Sequence, residues 1–457
     1  MSSLTMRPAR SPLVRLSALD LWAFVVPAIS FITVATVGQL IIAELLMAAM
    51  LPWLWGARDR LPLPRWFVVL GVGWLLSQIA TDLVVGSALE DLERGWAAII
   101  FTLTDFAAVL ILASTPRRAR LFALGLAAGG MLGYVFNPAG YAAGDPWKFA
   151  FAVPCGLALA AVLSGPVGAR FRWSTVGAFV AFGALNLLFG FRSLGGVSLL
   201  TGGYLSLSAI AGRPNVAPTS TLRAAAGLVF LAVAVVGVLQ VYDVAASQGL
   251  LGASAQAKYL QQSGALGVLV GGRSEVLASS QAIIDSPILG HGSWAKDFRY
   301  VDLLDSELGD LGYQIGAGPS DLGLIPAHSY LMQSWVWAGF MGAVFWLVVI
   351  GIAVWLLAIL YSFRVELGPL LVFSTMLLLW NIAFSPYGSG ARLLAAYGIA
   401  MCLLGLRLVR SDQADDPPGH LSGRVSANQR PRSWGPAVGA GAARTLPSAP
   451  ERAGGKP

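Results

Sequence analysis

Long apolar stretches separated by short polar links fill most of the chain. Each stretch has about 17–25 residues, the length that a helix needs to cross a bilayer. The pattern therefore predicts an all-α polytopic membrane protein with about twelve transmembrane helices. The predicted spans centre near Val26, Leu45, Gly73, Ala107, Leu126, Leu157, Ala181, Leu200, Ala232, Val348, Leu377 and Ile399.

The polar links between the spans alternate in charge. Arginines such as Arg58, Arg118 and Arg170 concentrate in one set of links, whereas Glu90 and Asp91 lie in the other set. Because positively charged short loops stay in the cytoplasm, this alternation predicts that both termini are cytoplasmic.

One link, from about Ala246 to Ala327, is far longer than the others and is predicted to be a large extracytoplasmic loop. It contains two helix-like stretches, Ala253–Gln262 and Arg273–Ile284, and Pro287 stops the second. Loops of this length are uncommon unless they have a function. The predicted divisions are an N-terminal bundle 1–245, the loop 246–327, C-terminal membrane helices 328–410 and a tail 411–457.

The tail is rich in Pro, Gly, Ser, Ala and Arg and has almost no apolar clusters. Such a segment cannot bury enough apolar surface to offset its conformational entropy. We therefore expect residues 411–457 to be disordered on the cytoplasmic side.

Composition supports a membrane protein and narrows its partners. Hydrophobic residues make up 56% of the chain and charged residues 12%, against roughly 25% charged residues in soluble proteins. The chain has a net charge of +7, and many of its basic residues lie in short loops between the spans, so the expected partner is a lipid bilayer and not nucleic acid. Cys155 and Cys402 lie in apolar segments, which disfavours a disulfide or a metal site.

His328 is one of only three histidines, and it follows Pro326 at the start of an apolar helix. Because the positive end of a helix disfavours an imidazolium ion, His328 is expected to be neutral there. A neutral imidazole at a membrane surface is a candidate general base. The alternative is an interfacial histidine that only hydrogen-bonds the loop. Beyond it, Gly339 is expected to allow a bend before the next span.

Basic side chains on the outer side are candidate anion ligands. Arg273 lies in the first turn of its predicted helix, where a guanidinium and backbone amides together suit a diphosphate, and Leu277 covers the same helix face. Arg192 lies at the outer end of a span, where charge is expensive unless it serves a cavity. Lys148 and Arg392 begin spans from the same side and are further candidates. The alternatives are a solvated loop arginine for Arg273 and a snorkelling side chain for Arg192.

Several of these residues fall in recognisable motifs. The chain has Arg273-x3-Leu277 and His328-x10-Gly339 around the long loop, with Asp285-Ser-Pro-Ile-Leu-Gly-His-Gly292 between them and Gly190-Phe-Arg-Ser193 upstream. In this order and membrane context the motifs resemble those of the bacterial O-antigen ligase and O-antigen polymerase superfamily. The resemblance centres on residues of about 185–355 and implies a GT-C-like fold.

The resemblance implies a membrane glycosyltransferase of the bacterial inner membrane with its active site on the periplasmic side. The donor would be a glycan on undecaprenyl diphosphate. The acceptor would be a hydroxyl of a growing glycan, the lipid A core or a protein, and the transfer would be inverting. His328 would be the base, Arg192 and Arg273 would bind the diphosphate, and Leu277, Gly339, Lys148 and Arg392 would support the site.

No metal or cofactor is expected for such a reaction. The diphosphate is already a good leaving group, and arginines can stabilise the charge that develops on it. The acidic run from Asp302 to Asp310 is interpreted as a solvated face.

Two other functions remain open on sequence grounds. A transporter or flippase for lipid-linked glycans would use ionisable residues within the spans, such as Glu44, Asp82 and Asp105. A non-enzymatic assembly scaffold is also compatible with the fold, but it leaves the placement of the arginines and of His328 unexplained.

Overall fold

The structure is a computed structural model, and it is almost entirely α-helical. It describes residues 17–34, 39–57, 60–137, 140–165, 172–211, 221–262, 274–310, 323–361, 365 and 367–415. The last helix continues past Arg410 to Asp415. The rest of the predicted tail, residues 416–457, lies outside the described residues.

The N-terminal part contains short and long helices with one small sheet. A two-stranded antiparallel sheet, β1 (Thr33–Val34) and β2 (Leu40–Ile41), joins the first two helices. The helices are α1 (Ala18–Ala28), α2 (Ile42–Trp55), α3 (Arg65–Val85), α4 (Leu89–Leu112), α5 (Pro116–Phe136), α6 (Gly140–Gly144), a π-helical turn Trp147–Phe151, α7 (Ala152–Leu163), α8 (Arg172–Leu188), α9 (Arg192–Ala211) and α10 (Thr221–Ser247).

The loop region and the C-terminal part are also helical. Their helices are α11 (Ala253–Gln262), α12 (Glu275–Asp285), α13 (Phe298–Asp310), α14 (Tyr330–Ala338), α15 (Phe340–Leu360), α16 (Gly368–Phe384) and α17 (Ser389–Asp415). The first helix predicted in the loop is therefore present with its predicted bounds. The second begins at Glu275, two residues later than predicted, and ends one residue later than predicted.

All twelve predicted span centres lie in helices. Among the described residues, six helical segments are long and apolar enough to cross a membrane: 65–85, 89–112, 116–136, 192–210, 340–360 and 389–411. The shorter apolar segments include 18–28, 42–55, 147–163 and 368–384. The protein is thus a multi-helix protein of membrane type, whereas the total of twelve crossings stays a prediction.

The core of the bundle lies around α16, α17 and α4. In an apolar stretch of 18 residues, 78% of the residues of α17 are buried and 67% of those of α4, whereas only 28% are buried in α3. In α16, every residue from Leu370 to Leu378 is buried. A helix that is apolar all round and buried on every side lies inside a bundle, so α16 and α17 are the inner helices against which the others pack.

Candidate functional site

The described part of the long loop has a small apolar core of its own. Helices α12, α13 and α14 meet in this core, which is separate from the main one. Its buried members are Ala278, Ala282, Ile283, Ala295, Tyr300, Ile325 and Val336. Because side chains before and after His328 contribute to this core, the loop forms a packed support for that histidine.

A buried carboxylate fixes the loop to the membrane helices. Asp82 at the end of α3 accepts hydrogen bonds from the Ser293 amide (2.6 Å), the Ser293 hydroxyl (2.7 Å) and the Trp96 indole (2.8 Å). Nearby, Lys296 Nζ lies 2.8 Å from Asp91 Oδ2 at the start of α4. The sequence marked Asp82 as a possible intramembrane charge, but its partners make it the anchor of the loop.

The Ile288–Gly292 segment runs against the junction of α14 and α15. The His291 amide donates to the Val336 carbonyl at 2.7 Å, and the Phe340 amide donates to the Ile288 carbonyl at 3.1 Å. Gly339 separates the two helices with φ 63° and ψ −153°, a conformation that is essentially restricted to glycine. The predicted bend at Gly339 is therefore present, and a side chain there would also collide with the Ile288 carbonyl.

His328 lies directly before α14. The helix begins at Tyr330, two residues later than predicted, and Ser329 is its N-cap. The Ser329 hydroxyl accepts from the Met332 amide at 3.1 Å and donates to the Ile382 carbonyl at 2.8 Å. The backbone next to His328 is thus fixed both to its own helix and to α16.

Aromatic side chains form a rigid base beneath this helix start. The rings of Tyr330, Trp346 and Tyr387 lie within 5.3 Å of one another, centroid to centroid. The Gln333 side chain makes two hydrogen bonds to the Tyr387 backbone, at 3.0 and 2.9 Å. These contacts limit how far His328 can move relative to the bundle.

The side chain of His328 meets a carboxylate from another part of the loop. His328 Nδ1 lies 3.1 Å from Glu275 Oε1. Glu275 occupies the first turn of α12, where the positive helix end favours a carboxylate. It stands between Arg273 and Leu277, so the structure brings the segment of one motif to the histidine of the other.

Sequence reasoning did not select Glu275. It was visible inside the segment Gly272–Leu277, but a single glutamate at a helix start is common and gives no sign of a distant partner. One feature of the sequence could have identified it: Glu275 comes two residues after Arg273, in a segment that was already expected to line the site.

Two other candidates fall in or next to this segment. Arg273 lies outside the described residues, so its predicted diphosphate contact stays a prediction. Leu277 lies on α12 and is half-buried.

Arg192 lies at the first residue of α9, half-buried, with its guanidinium carbon 4.9 Å from the centre of the Tyr242 ring of α10. Among the described residues, no hydrogen bond or ion pair joins Arg192 to Glu275 or His328. A cation on an aromatic face has its stem held in place while its N–H groups can still face a ligand.

Lys148 lies on the π-helical turn Trp147–Phe151, half-buried, with its ammonium 4.7 Å from the centre of the Phe149 ring. The neighbouring Trp147 indole donates to Asn186 Oδ1 at 3.1 Å. Single π-helical turns often occur at functional sites, and this one fixes Lys148 at the start of α7.

Arg392 requires a correction. It is not a cation exposed to an outer cavity, because it is 2% exposed within the bundle and paired with Glu44, which is 0% exposed. Arg392 Nε and Nη2 lie 2.5 and 2.8 Å from the two Glu44 oxygens, and Nη2 also donates to the Gln39 carbonyl at 3.0 Å. Its charge is neutralised by Glu44, so it adds no free positive charge to a cavity.

The acidic run lies on α13. Asp302, Glu307 and Asp310 are exposed and Asp305 is half-buried, as a solvated helix face requires. In the part of the chain that the structure describes, no three His, Cys, Asp or Glu side chains form a group able to hold a metal ion.

Comparison of the chain with protein-family models, with curated proteins and with solved structures finds no match.

Proposed function

We propose that this protein transfers a glycan from an undecaprenyl-diphosphate-linked donor to an acceptor hydroxyl on the outer face of the bacterial inner membrane. The proposal covers both the ligase and the polymerase type of reaction, and it leaves the acceptor open among a growing glycan, the lipid A core and a protein. Residue roles follow the motif resemblance, with His328 as base and with Arg192 and Arg273 as diphosphate ligands.

The observation that carries the proposal is the contact between the two motif segments. Glu275, in the middle of the Arg273–Leu277 segment, reaches His328 at 3.1 Å, although the two residues are separated by 53 positions. A catalytic base needs a neighbour that orients it and an open side toward the substrate. The His328 side chain is 45% exposed and the loop behind it is firmly packed, which is the combination that a base needs.

The chemistry needs three things beyond a base. A lipid tail needs a bilayer-embedded groove, which a bundle of apolar helices can supply. The diphosphate needs fixed cations, and the planar guanidinium groups of Arg192 and Arg273 suit it. The leaving group needs its developing charge stabilised, which the same arginines would do.

A second candidate function, transport of a lipid-linked glycan, is favoured by one feature of the bundle. Asp105 on α4 is 0% exposed, and neither of its carboxylate oxygens has a hydrogen-bond partner among the described residues. It lies within electrostatic reach of Glu44 and Arg392. Ionisable groups inside a membrane bundle often mark transport pathways, but this feature does not account for the Glu275–His328 contact.

The test is turnover by purified full-length protein in nanodiscs with a glycan linked to undecaprenyl diphosphate and a soluble acceptor glycan. His328→Ala is expected to abolish product, because a general base contributes about 10²- to 10⁴-fold, while thermal stability stays close to that of the native protein. Normal turnover by a stable His328→Ala protein would refute the base assignment. Movement of the intact lipid-linked glycan across the bilayer of reconstituted vesicles, without glycan transfer, would favour the transporter.

His291→Ala is the matched control. The His291 ring hydrogen-bonds the Ala282 carbonyl at 2.7 Å and packs edge-on against Tyr300, so it supports the loop from inside. Losing one such hydrogen bond costs about 1 kcal/mol, and most of the turnover should remain.

A further inference from the structure

We infer that Glu275 is a positioning residue that holds His328 in the tautomer with the proton on Nδ1, which leaves Nε2 as the atom that accepts the proton of the sugar hydroxyl. This inference rests on the proposed function for the identity of the substrate. The tautomer itself follows from the contact alone and can be measured without any substrate.

The first step is the geometry of the contact. Glu275 Oε1 lies 3.1 Å from Nδ1 of His328, the ring nitrogen nearer the backbone. An ionised carboxylate can only accept hydrogen bonds, and a neutral imidazole carries one N–H. The shared hydrogen must therefore be on Nδ1, and Nε2 keeps its lone pair.

The second step is that both partners are held in place from behind. Glu275 lies in the first turn of α12, whose Ala278 and Ala282 are fully buried in the loop core. His328 lies beside Ser329, which is fixed to α14 and to α16. Because neither backbone is free to drift, the carboxylate can select one ring orientation as well as one tautomer.

The third step concerns the charge of Glu275. Its second oxygen, Oε2, is buried and has no hydrogen-bond partner among the described residues. His328 is thus the one cationic or proton-donating side chain that the described part of the chain offers to this carboxylate. Within the described part of the chain, the Glu275 carboxylate is therefore placed to stabilise His328 when the ring takes up a proton.

The proton and electron balance of the transfer step follows. The acceptor hydroxyl gives its proton to Nε2, and its oxygen forms a bond to the anomeric carbon of the donor. The bond from that carbon to the diphosphate oxygen breaks, and the electron pair leaves with the diphosphate. His328 becomes an imidazolium ion between Glu275 and the product, and a later proton loss to water restores the neutral ring.

The experiment uses full-length protein in nanodiscs, labelled with ¹⁵N in histidine only. The chain has three histidines, so the His328 signals are assigned by their loss in His328→Gln. The two ring nitrogens are compared at pH above about 8, where a histidine ring is ordinarily neutral. We expect the native protein to show a protonated Nδ1 and a bare Nε2.

Glu275→Gln should weaken the preference for that tautomer, because an amide can either accept the hydrogen on Nδ1 or donate its own N–H to Nδ1. Turnover should then fall by roughly 10²- to 10⁴-fold, and Glu275→Asp should restore the tautomer and part of the rate. The matched control is Glu307→Gln, the same chemical change at an exposed position on α13, which should alter neither signal nor rate.

Two results would overturn the inference: a native His328 protonated on Nε2, or an unchanged rate in a stably folded Glu275→Gln protein. A native protein that shows the expected tautomer but transfers no glycan from any lipid-linked donor refutes the proposed function instead. The spectroscopic and the kinetic readouts therefore separate the two failures.

Discussion

Two acid–base pairs in this protein differ in their surroundings more than in their chemistry. Glu44 and Arg392 are 0% and 2% exposed, and both oxygens of Glu44 are occupied by Arg392, with the Ile41 amide as a further donor at 3.0 Å. Glu275 and His328 are 25% and 45% exposed, and one oxygen of Glu275 is left without a partner among the described residues. The first pair is enclosed and saturated, whereas the second leaves the His328 ring open to solvent.

Magnitudes separate the roles of the two pairs. A pair with this much exposure contributes about 0–1 kcal/mol to stability even when both partners are charged, and the loop core already holds the two segments together. Breaking a buried pair by removing one partner costs about 3–5 kcal/mol, because it leaves an uncompensated charge. We therefore assign the buried pair to the stability of the fold, and we propose that the exposed pair serves the chemistry at the loop.

The largest effect is expected from Arg392→Met. Removing the guanidinium leaves the Glu44 carboxylate buried without its partner and should destabilise the protein by about 3–5 kcal/mol, measured as a lower midpoint of thermal unfolding in detergent. The double variant Glu44→Gln/Arg392→Met should recover most of this loss, since no charge of the pair is then left uncompensated.

Glu275→Gln sharpens the comparison from the other side. Its unfolding midpoint should stay close to the native value, since an exposed pair contributes about 1 kcal/mol at most, even though glycan transfer falls. If Arg392→Met unfolds at the native temperature while Glu275→Gln unfolds much earlier, the structural and chemical roles assigned to the two pairs are reversed.

An intermediate effect is expected at the junction between loop and bundle. Asp82→Ala removes the acceptor of the Ser293 amide and hydroxyl and of the Trp96 indole. The hydroxyl can rotate and the indole is half-buried, so the main cost is that of the buried Ser293 amide left unsatisfied, about 1–3 kcal/mol. Hydrogen exchange in residues 286–310 should speed up strongly, whereas exchange in α16 should change little.

Asp302→Ala is the control for that experiment, because it removes an exposed carboxylate from the same loop. Its exchange pattern should match that of the native protein. Unchanged protection of the loop in Asp82→Ala would mean that the loop core alone holds the loop in place.

The regular part of the fold was predictable because it depends on local pattern. Apolar length located all twelve helix centres, and glycine chemistry located the bend at Gly339. The pairs were not predictable, because each joins distant positions: Glu44 is 348 residues from Arg392. The depth of Arg392 in its span could be estimated from the sequence, but its partner could not, so an internal ion pair was mistaken for a free cation. For the same reason the sequence could single out His328 as a candidate but could not identify Glu275 as its partner.

The smallest expected effect concerns the pH range over which the loop keeps its packing behind the exposed pair. Asp285, at the end of α12, accepts hydrogen bonds from the Tyr300 hydroxyl at 2.7 Å and from Gln281 at 2.8 Å. The bond from Tyr300 is the largest cause that holds the pKa of Asp285 below its ordinary value of 3.8, and the bond from Gln281 is the next largest. Because the folded pKa is lowered, the resulting stability is present above pH 3.8 and is lost as the pH falls through the folded pKa.

Tyr300→Phe removes the main cause of that shift, so the pKa of Asp285 should rise toward its ordinary value. The measurement is the exchange rate of residues 275–310 in the variant divided by that in the native protein at each pH, which cancels the intrinsic pH dependence of exchange. The ratio should exceed one near neutral pH and approach one in acid, where Asp285 is protonated in both proteins. Gln281→Ala should give the same trend with a smaller amplitude, because Gln281 is the weaker cause. A ratio that stays constant down to strong acid would show that Tyr300 supports the loop through burial of its ring and not through the charge of Asp285.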